Sequence, residues 1–288
     1  MAIFTNQATL SYRNGTVSSN TVTGEILEAL SVSKNALIDI YSRGDVITYV
    51  ISIVNGGEGA YTGVSVSDDL GAYPFNSTTI VPLTYVDGSV AYYLDGVLQP
   101  DPAVNVGTEL TFSGITVPAN GNTVLIYQAR VNGFAPLEEG GKIENTATVS
   151  GGGICNDLVA VEAVSVSNAP SLGITKEIFP STVTENGQLT YTFTVQNFGN
   201  EEAKEEDALA ISDTFEPLLS SVSVTYNGEP WTEGVEYNYD SATGEFSTVA
   251  GNITVPAATY MQDLATGEWS VLPGESVLVV TGNVSCNA

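Results

Sequence analysis

Three residue types recur at matching positions in the two halves of the chain, and together they could form an amide bond. They are lysine at Lys34 and Lys176, aspartate at Asp68 and Asp213, and asparagine at Asn145 and Asn6. Burial among apolar side chains makes lysine a neutral nucleophile, and a carboxyl group kept neutral by burial can polarise an asparagine carbonyl and move its proton. Such a set of residues would allow an amine to condense with a carboxamide. The alternative is that the lysines lie on exposed edges and the asparagines only cap strands.

Composition excludes most other chemistry. The 288 residues contain no histidine, so the commonest general base and metal ligand is missing. With 33 acids against 7 bases the net charge is −26, which disfavours nucleic acid and anionic membranes as partners. The acidic run 201–207 matches no calcium-loop spacing, and Asp68-Asp69 lacks a second acid partner or a substrate groove. We therefore predict no enzymatic activity, no cofactor and no metal site.

Periodicity indicates the fold class. Short β-branched segments with mostly alternating polarity are separated by Gly, Asn and Pro, as in 46–54, 64–67, 190–195 and 277–281. Many short strands joined by such turns predict an all-β chain of two tandem immunoglobulin-like β-sandwiches. No apolar run approaches the ~20 residues needed to cross a bilayer, so no membrane insertion is expected. The first residues show neither the basic nor the apolar region of a secretory signal.

The two halves are copies of one repeat. Residues 46–57 align without gaps with residues 188–199, and the order of the flanking matches is the same: 31–34 with 173–176, 66–68 with 211–213, and 114–118 with 252–256. The alignment predicts an N-terminal strand or hairpin at 1–26, domain 1 at 27–168 and domain 2 at 169–288. Residues 257–272 are an insertion in domain 2.

The repeated residues carry a family resemblance. Lysine on a first strand, the run Gly44-Asp45 to Asn55-Gly56-Gly57, the "V-x-V-x-D" at 64–68, a late Pro-Gly turn and the closing "N-x-A-T-V" at 145–149 resemble the bacterial surface repeat known as domain of unknown function eleven. The resemblance implies immunoglobulin-like sandwiches strung together on a cell or spore surface, without enzymatic activity. The length and two-repeat layout are also similar to the ribbon-forming spore-appendage proteins of anaerobic spore formers.

The two repeats differ in their closing strand. Domain 1 ends with residues 143–150, whereas domain 2 stops after residues 274–280, which match the penultimate strand. The missing strand occurs instead at the N-terminus, where residues 4–11 align with 143–150. Domain 2 should therefore have an open sheet edge.

An open edge can be completed by a strand from another molecule, and such a head-to-tail contact propagates a filament unless it closes into a ring. We predict that Phe4, Asn6, Ala8 and Leu10 form the donor strand, with residues 13–15 as a turn and 16–25 as a second arm. The N-terminal strand folding back on its own chain, or domain 2 tolerating a missing strand, are the alternatives.

In surface pilins, lysine and asparagine on the first and last strands condense beside a buried carboxylate. The same arrangement here would give an intramolecular Lys34–Asn145 bond assisted by Asp68. It also implies an intermolecular bond from Lys176 to Asn6 of the neighbouring subunit, assisted by Asp213.

The two cysteines suggest a disulfide. We expect Cys286 to lie near the entry of domain 2, where its penultimate strand should end, and Cys155 to lie at the exit of domain 1 after the closing strand. The two cysteines would then be neighbours and could pair within one chain, in an oxidising exterior. Two free thiols or an intermolecular bridge remain open.

The sequence thus predicts a self-assembling structural subunit of an extracellular fibre, pilus or spore appendage on the bacterial surface, with other copies of itself as its partner. An adhesin or stalk fragment that binds a surface ligand is the alternative. A piece cut from a longer repeat array would also start and stop out of phase with its domains.

Overall fold

A computed structural model describes residues 2–26 and 29–285 of the chain. Regular structure in these residues is β-strand, apart from one 3-10 turn at Glu205–Asp207. The prediction of an all-β chain with sandwich-like sheets is confirmed. In the described ranges no helix is long and apolar enough to cross a membrane.

The N-terminal segment forms a long two-armed hairpin. Its strands are β1 Ala2–Asn6, β2 Thr9–Tyr12, β3 Gly15–Ser18 and β4 Val22–Ile26. β1 pairs with β4 and β2 with β3, around a two-residue turn whose first residue, Arg13, has φ of 43°. Every side chain from residue 3 to residue 25 is exposed, except that Gly15 and Gly24 are half-buried. Neither hydrophobic core contains a residue of this hairpin.

Domain 1 is a sandwich of two six-stranded sheets. Its strands are β5 Leu30–Ala36, β6 Ile40–Tyr41, β7 Val46–Asn55, β8 Tyr61–Asp68, β9 Tyr73–Phe75, β10 Thr78–Ile80, β11 Leu83–Tyr85, β12 Ala91–Leu94, β13 Val97–Gln99, β14 Ala103–Val106, β15 Leu110–Val117, β16 Gly121–Val131, β17 Lys142–Gly151 and β18 Leu158–Val166. One sheet has the order β13-β12-β16-β7-β5, with β11 also on β16. The other has the order β14-β15-β8-β17-β18-β6, and β9 and β10 form a separate hairpin.

The core of domain 1 follows from strict alternation. In β7 the side chains at positions 47, 49, 51 and 53 are all fully buried, while their neighbours are half-buried or exposed. Alternation of this kind places one face of each sheet against the other sheet. The buried aromatics Tyr49, Phe112 and Tyr127 pack together in the centre, with ring centroids 5.5 Å apart for Tyr49–Tyr127 and for Phe112–Tyr127.

Domain 2 repeats this plan with fewer strands. They are β19 Leu172–Phe179, β20 Gln188–Asn197, β21 Ser212–Thr214, β22 Leu218–Tyr226, β23 Glu229–Trp231, β24 Tyr237–Tyr239, β25 Glu245–Thr248, β26 Thr259–Gln262, β27 Trp269–Leu272 and β28 Gly274–Ser285. One sheet has the order β19-β20-β28-β22-β23 and the other the order β21-β25-β24. The core again alternates along β20, with residues 189, 191, 193 and 195 buried.

The insertion in domain 2 is a hairpin that packs on domain 1. β26 pairs with β27, and the Trp269 amide donates to the Gly133 carbonyl at 2.8 Å. Arg43 donates to the Trp269 carbonyl at 3.1 Å, and Gln262 donates to the Tyr73 hydroxyl at 3.2 Å. These contacts tie the two domains together on one side of the five-residue connection 167–171.

The decisive difference between the domains is one strand position. In domain 1, β8 pairs with β15 on one side and with the closing strand β17 on the other. In domain 2, the equivalent strand β21 pairs with β25, and no strand of residues 2–26 or 29–285 pairs with its other side. That side of β21 is an open edge.

Candidate cross-linking site and open sheet edge

The lysine of domain 1 is buried. Lys34 lies in the middle of β5 and is 4% exposed, and its Nζ donates to Asp68 Oδ2 at 2.5 Å. Nζ also lies 4.9 Å from the ring centroid of Tyr49, which places the amine inside the aromatic core. Burial lowers the pKa of Lys34, and the nearby Asp68 carboxylate only partly offsets this effect. Burial therefore shifts Lys34 towards the neutral, nucleophilic amine.

The aspartate joins the lysine to Tyr127 on β16. Asp68 ends β8 and is fully buried, and its Oδ2 accepts a hydrogen bond from the Tyr127 hydroxyl at 2.6 Å as well as the one from Lys34. Its Oδ1 accepts from the Leu70 amide at 3.0 Å. Burial and the Asp68 charge raise the pKa of Tyr127, so that its hydroxyl keeps its proton. Asp68 thus contacts both the amine and a tyrosine.

The asparagine completes a continuous network. Asn145 lies on β17, is fully buried, and donates from Nδ2 to the Tyr127 hydroxyl at 3.2 Å. Its Oδ1 has no hydrogen-bond partner among the residues the structure describes. Lys34, Asp68, Tyr127 and Asn145 are therefore connected by three hydrogen bonds in a water-excluded core. The structure brings together all three residues that the sequence pattern predicted for this domain.

Sequence reasoning missed Tyr127. Strand register was the signal that could have identified this residue. Tyr127 lies directly opposite Tyr49 on the neighbouring strand. Tyr49 in turn lies two residues before Ile51, the strand partner of Lys34. In the sequence, however, Tyr127 looks like any other inward aromatic residue of an alternating strand. Only the contact with Asp68 distinguishes it.

Among the residues that the structure describes, domain 2 has counterparts of the lysine and the aspartate but not of Tyr127 and Asn145. Lys176 on β19 forms an ion pair with Asp213 on β21, and their side chains are 41% and 18% exposed, against 0% for both Lys34 and Asp68. The Lys176 Nζ lies 4.6 Å from the ring centroid of Tyr191, the residue equivalent to Tyr49. Opposite Tyr191, where domain 1 has Tyr127, stands Val280.

The open edge also leaves a strip of apolar side chains uncovered. Leu172, Ile174 and Ile178 point to the same side of β19 as Lys176 and are 44%, 56% and 46% exposed. Their domain 1 counterparts on β5, residues 30, 32 and 36, are half-buried. A groove of about 180 Å³ lies between the start of β19 and residues 209–211.

The predicted donor residues are exposed in the same chain. Phe4 and Leu10 are 51% and 64% exposed, and Asn6 and Ala8 are also exposed. The closing-strand residues with which they align are Ile143, Asn145, Ala147 and Val149, and these are between 0% and 1% exposed in domain 1. The donor face is therefore a solvent-exposed copy of a sequence that domain 1 buries completely.

The strand geometry from which the cysteine pairing was predicted is wrong. Cys155 is exposed and follows β17, at the end of domain 1 that lies away from domain 2, because β18 runs from there towards β19. The last strand of domain 2 does not end beside domain 1, since Asn283 pairs with Gln188 while Leu172, where domain 2 begins, pairs with Asn197. Cys286 lies outside the described residues, so the Cys155–Cys286 disulfide stays a prediction.

No protein-family model and no curated protein matches the sequence, so the resemblance to domain of unknown function eleven stays a prediction. Among solved structures, the chain is similar to the pilus backbone of Streptococcus pneumoniae, with 16% identity and a TM-score of 0.35 over 85% of this chain and 55% of that chain. For the major pilin of Bacillus cereus, identity is 14% and the TM-score 0.34, over 97% and 74% of the chains.

A third similar structure is the collagen-binding subdomain of an Enterococcus faecalis surface protein, with 8% identity and a TM-score of 0.31 over 49% of this chain and 99% of that chain. These solved structures come from pilins and surface proteins. At such TM-scores the comparison carries no argument on function.

Proposed function

We propose that the chain is a structural subunit of an extracellular bacterial fibre, which polymerises by placing β1 and β2 against the open edge of β21 in the next subunit. The observation that supports this most is the coexistence of a closed domain, an open domain and a spare closing strand in one chain. The spare strand carries Phe4, Asn6, Ala8 and Leu10 at the positions where domain 1 buries its own closing strand.

Strand addition would relieve an unfavourable feature of domain 2 and one of the donor. Among the described residues, the open side of β21 leaves backbone amides and carbonyls without strand partners. The donor face offers a phenyl ring and a leucine side chain that are themselves exposed. Both surfaces are buried by one contact, which is the usual driving force of donor-strand complementation.

The contact must be intermolecular while the hairpin is formed. β4 leads into β5 through residues 27–29, which span at most about 10 Å. β5 begins at the end of domain 1 that lies away from domain 2, and a nine-residue strand such as β18 is about 30 Å long. Asn6 pairs with Val22, close to the end of β4, so the hairpin adds only about 13 Å to its reach. Asn6 therefore cannot reach β21 of its own chain, and head-to-tail contacts between copies produce a filament.

Two amide bonds would then lock the fibre. Within domain 1, Lys34 Nζ attacks the side-chain carbonyl carbon of Asn145, the proton passes through Asp68 to the leaving nitrogen, and ammonia departs as the new C–N bond replaces the old one. The lowered pKa of Lys34 supplies the neutral amine. When Asn6 occupies the place of Asn145 in domain 2, Lys176 and Asp213 complete the same constellation between subunits.

The test is a reduced, boiled denaturing gel of the full chain, with mass analysis of each band. We expect a ladder of multimers in which each inner subunit has lost two ammonia molecules, one within domain 1 and one at the junction. The variant Asn6→Ala should give filaments without a ladder and a single loss of ammonia. Asn145→Ala should keep the ladder but lose one ammonia fewer per subunit.

Deletion of residues 1–12 separates this function from an adhesin. A fibre subunit without its donor strand should remain monomeric while still losing one ammonia in domain 1. If the intact chain forms no filament under any condition in which it is folded, the fibre proposal is wrong. A monomer of full calculated mass would contradict both amide bonds and leave non-covalent strand addition as the only link.

A further inference from the structure

The uncovered strip on β19 is too far from the edge of β21 to be explained by one donated strand. In domain 1 the strand that lies against β5, the counterpart of β19, is β18 and not the closing strand β17. β17 and β18 form an antiparallel hairpin, whose first arm completes the sheet of β8 and whose second arm lies over β5. Domain 2 lacks both arms within the described residues.

The N-terminal hairpin has the same two arms in the same order. Asn6 pairs with Val22 as Asn145 pairs with Glu162, so residues 22–26 stand in the place of residues 162–166. In domain 1 the inward positions of the second arm, 164 and 166, are buried. In both cases the second arm leads directly into the first strand of the next domain, β19 after β18 and β5 after β4.

One cross-strand pair shows that the two hairpins fill the same space differently. Ile143 pairs with Val164 in domain 1, and both are buried. The equivalent pair is Phe4 and Gly24, and a Cβ atom on Gly24 would overlap the Phe4 ring. Phenylalanine with glycine has as many side-chain carbon atoms as isoleucine with valine. The Phe4–Gly24 pair would therefore fill the same core volume as the Ile143–Val164 pair, provided that both arms of the hairpin are buried together.

We propose that the docking unit is the whole hairpin of residues 2–26, and that its second arm covers the β19 strip of the next subunit. This inference rests on the proposed function and deepens it. The first arm pairs with β21, and Val22 and Gly24 on the second arm face Leu172, Ile174 and Ile178. The partner is a second copy of this chain, because its hairpin repeats the strand order, register and core volume that domain 1 uses on itself.

The test uses the full chain in an Asn6→Ala background, in which docking is reversible, under reducing conditions. The critical concentration for filament formation is measured for Phe4→Ile, Gly24→Val and the double variant. Phe4→Ile leaves a void and Gly24→Val overpacks the docked hairpin, so each should raise the critical concentration about tenfold. The double variant recreates the Ile143–Val164 pair and should return to the parent value.

The outcomes separate this inference from the function on which it rests. If Gly24→Val behaves like the parent while Phe4→Ile is impaired, the second arm stays in water and the inference is wrong although strand donation stands. If neither single variant changes the critical concentration, both are wrong. If the double variant does not return to the critical concentration of the parent, the proposed fit between the two arms and domain 2 is also wrong. Thr23→Val, on the outward face of the same arm, is the matched control and should not differ from the parent.

Discussion

The two domains contain the same lysine and aspartate pair in two different environments. Lys34 and Asp68 are completely buried, whereas Lys176 and Asp213 are 41% and 18% exposed. The difference does not come from the residues themselves, since both pairs join the first strand of the domain to equivalent strands of the facing sheet, β8 and β21. It comes from the hairpin β17–β18, which covers the pair in domain 1 and has no counterpart over the pair in domain 2 among the residues that the structure describes. A covering hairpin, rather than the ion pair, determines whether the lysine is buried.

The largest expected effect comes from making domain 2 like domain 1. A copy of residues 2–12 joined after Ala288 by a flexible linker should fill the edge of β21 within one chain. The tethered strand has an effective concentration in the millimolar range, so filament formation should fall by about a hundredfold. Domain 2 should also gain a few kcal/mol of unfolding free energy, because each fully buried Phe or Leu side chain contributes about 1.5–3 kcal/mol.

Electron microscopy and chemical denaturation of the same preparation measure both effects. An extension carrying Leu10→Asp in the copied segment is the matched control and should polymerise like the parent. Normal filaments from the unmodified extension would show that β21 is not the acceptor.

The next prediction compares one substitution at two equivalent positions. Asp68→Asn removes the partner of a buried lysine, and leaving one member of a buried ion pair alone costs about 3–5 kcal/mol. Asp213→Asn acts on a partly exposed pair, for which about 0–1 kcal/mol is expected. Urea unfolding should show this contrast between the two domains in a chain that lacks residues 1–12 and carries Asn145→Ala, so that Lys34 stays a free amine. Equal losses would mean that burial does not distinguish the two sites.

Sequence periodicity and internal alignment were sufficient to predict the coarse organisation and to place Lys34, Asp68 and Asn145 on their strands. They succeed because a side-chain period of two fixes which residues of a strand face the core. They did not indicate Tyr127, because an inward tyrosine that packs and one that binds Asp68 look alike in sequence. They also misplaced the end of β28, since the direction of a strand relative to a neighbouring domain depends on pairing over long distances. The packing of the β26–β27 hairpin on domain 1 was not foreseen for the same reason.

A smaller effect is expected at the tyrosine. Tyr127→Phe removes the hydroxyl group that donates to Asp68 and accepts from Asn145, and it leaves the aromatic ring in place. Domain 1 should lose about 1–3 kcal/mol, the range for leaving buried polar groups without a partner. The amide bond between Lys34 and Asn145 should also form more slowly, because the asparagine is no longer held. Time-resolved mass analysis after cell-free synthesis measures this rate.

Tyr191→Phe in domain 2 is the control for Tyr127→Phe. Its ring lies beside the Lys176 amine in the same way, but the hydroxyl has no donor or acceptor role in the amide-forming network of domain 1. Domain 1 should therefore cross-link at the parent rate in this variant. If Tyr127→Phe also reacts at the parent rate, the tyrosine is only a packing residue.

The smallest expected effect is a dependence of domain 1 stability on pH, measured in Asn145→Ala, where Lys34 stays a free amine. Burial lowers the pKa of Lys34 in the folded state below its ordinary value of 10.5. Between the lowered value and 10.5 the unfolded chain binds a proton that the folded chain does not, so the free energy of unfolding should rise with pH. The measurement is kept below about pH 9, because a tyrosine with the ordinary pKa of 10.0 is half ionised at pH 10 in the unfolded chain. The double variant Lys34→Met with Asn145→Ala should lose this slope, and a slope that persists would assign it to other groups.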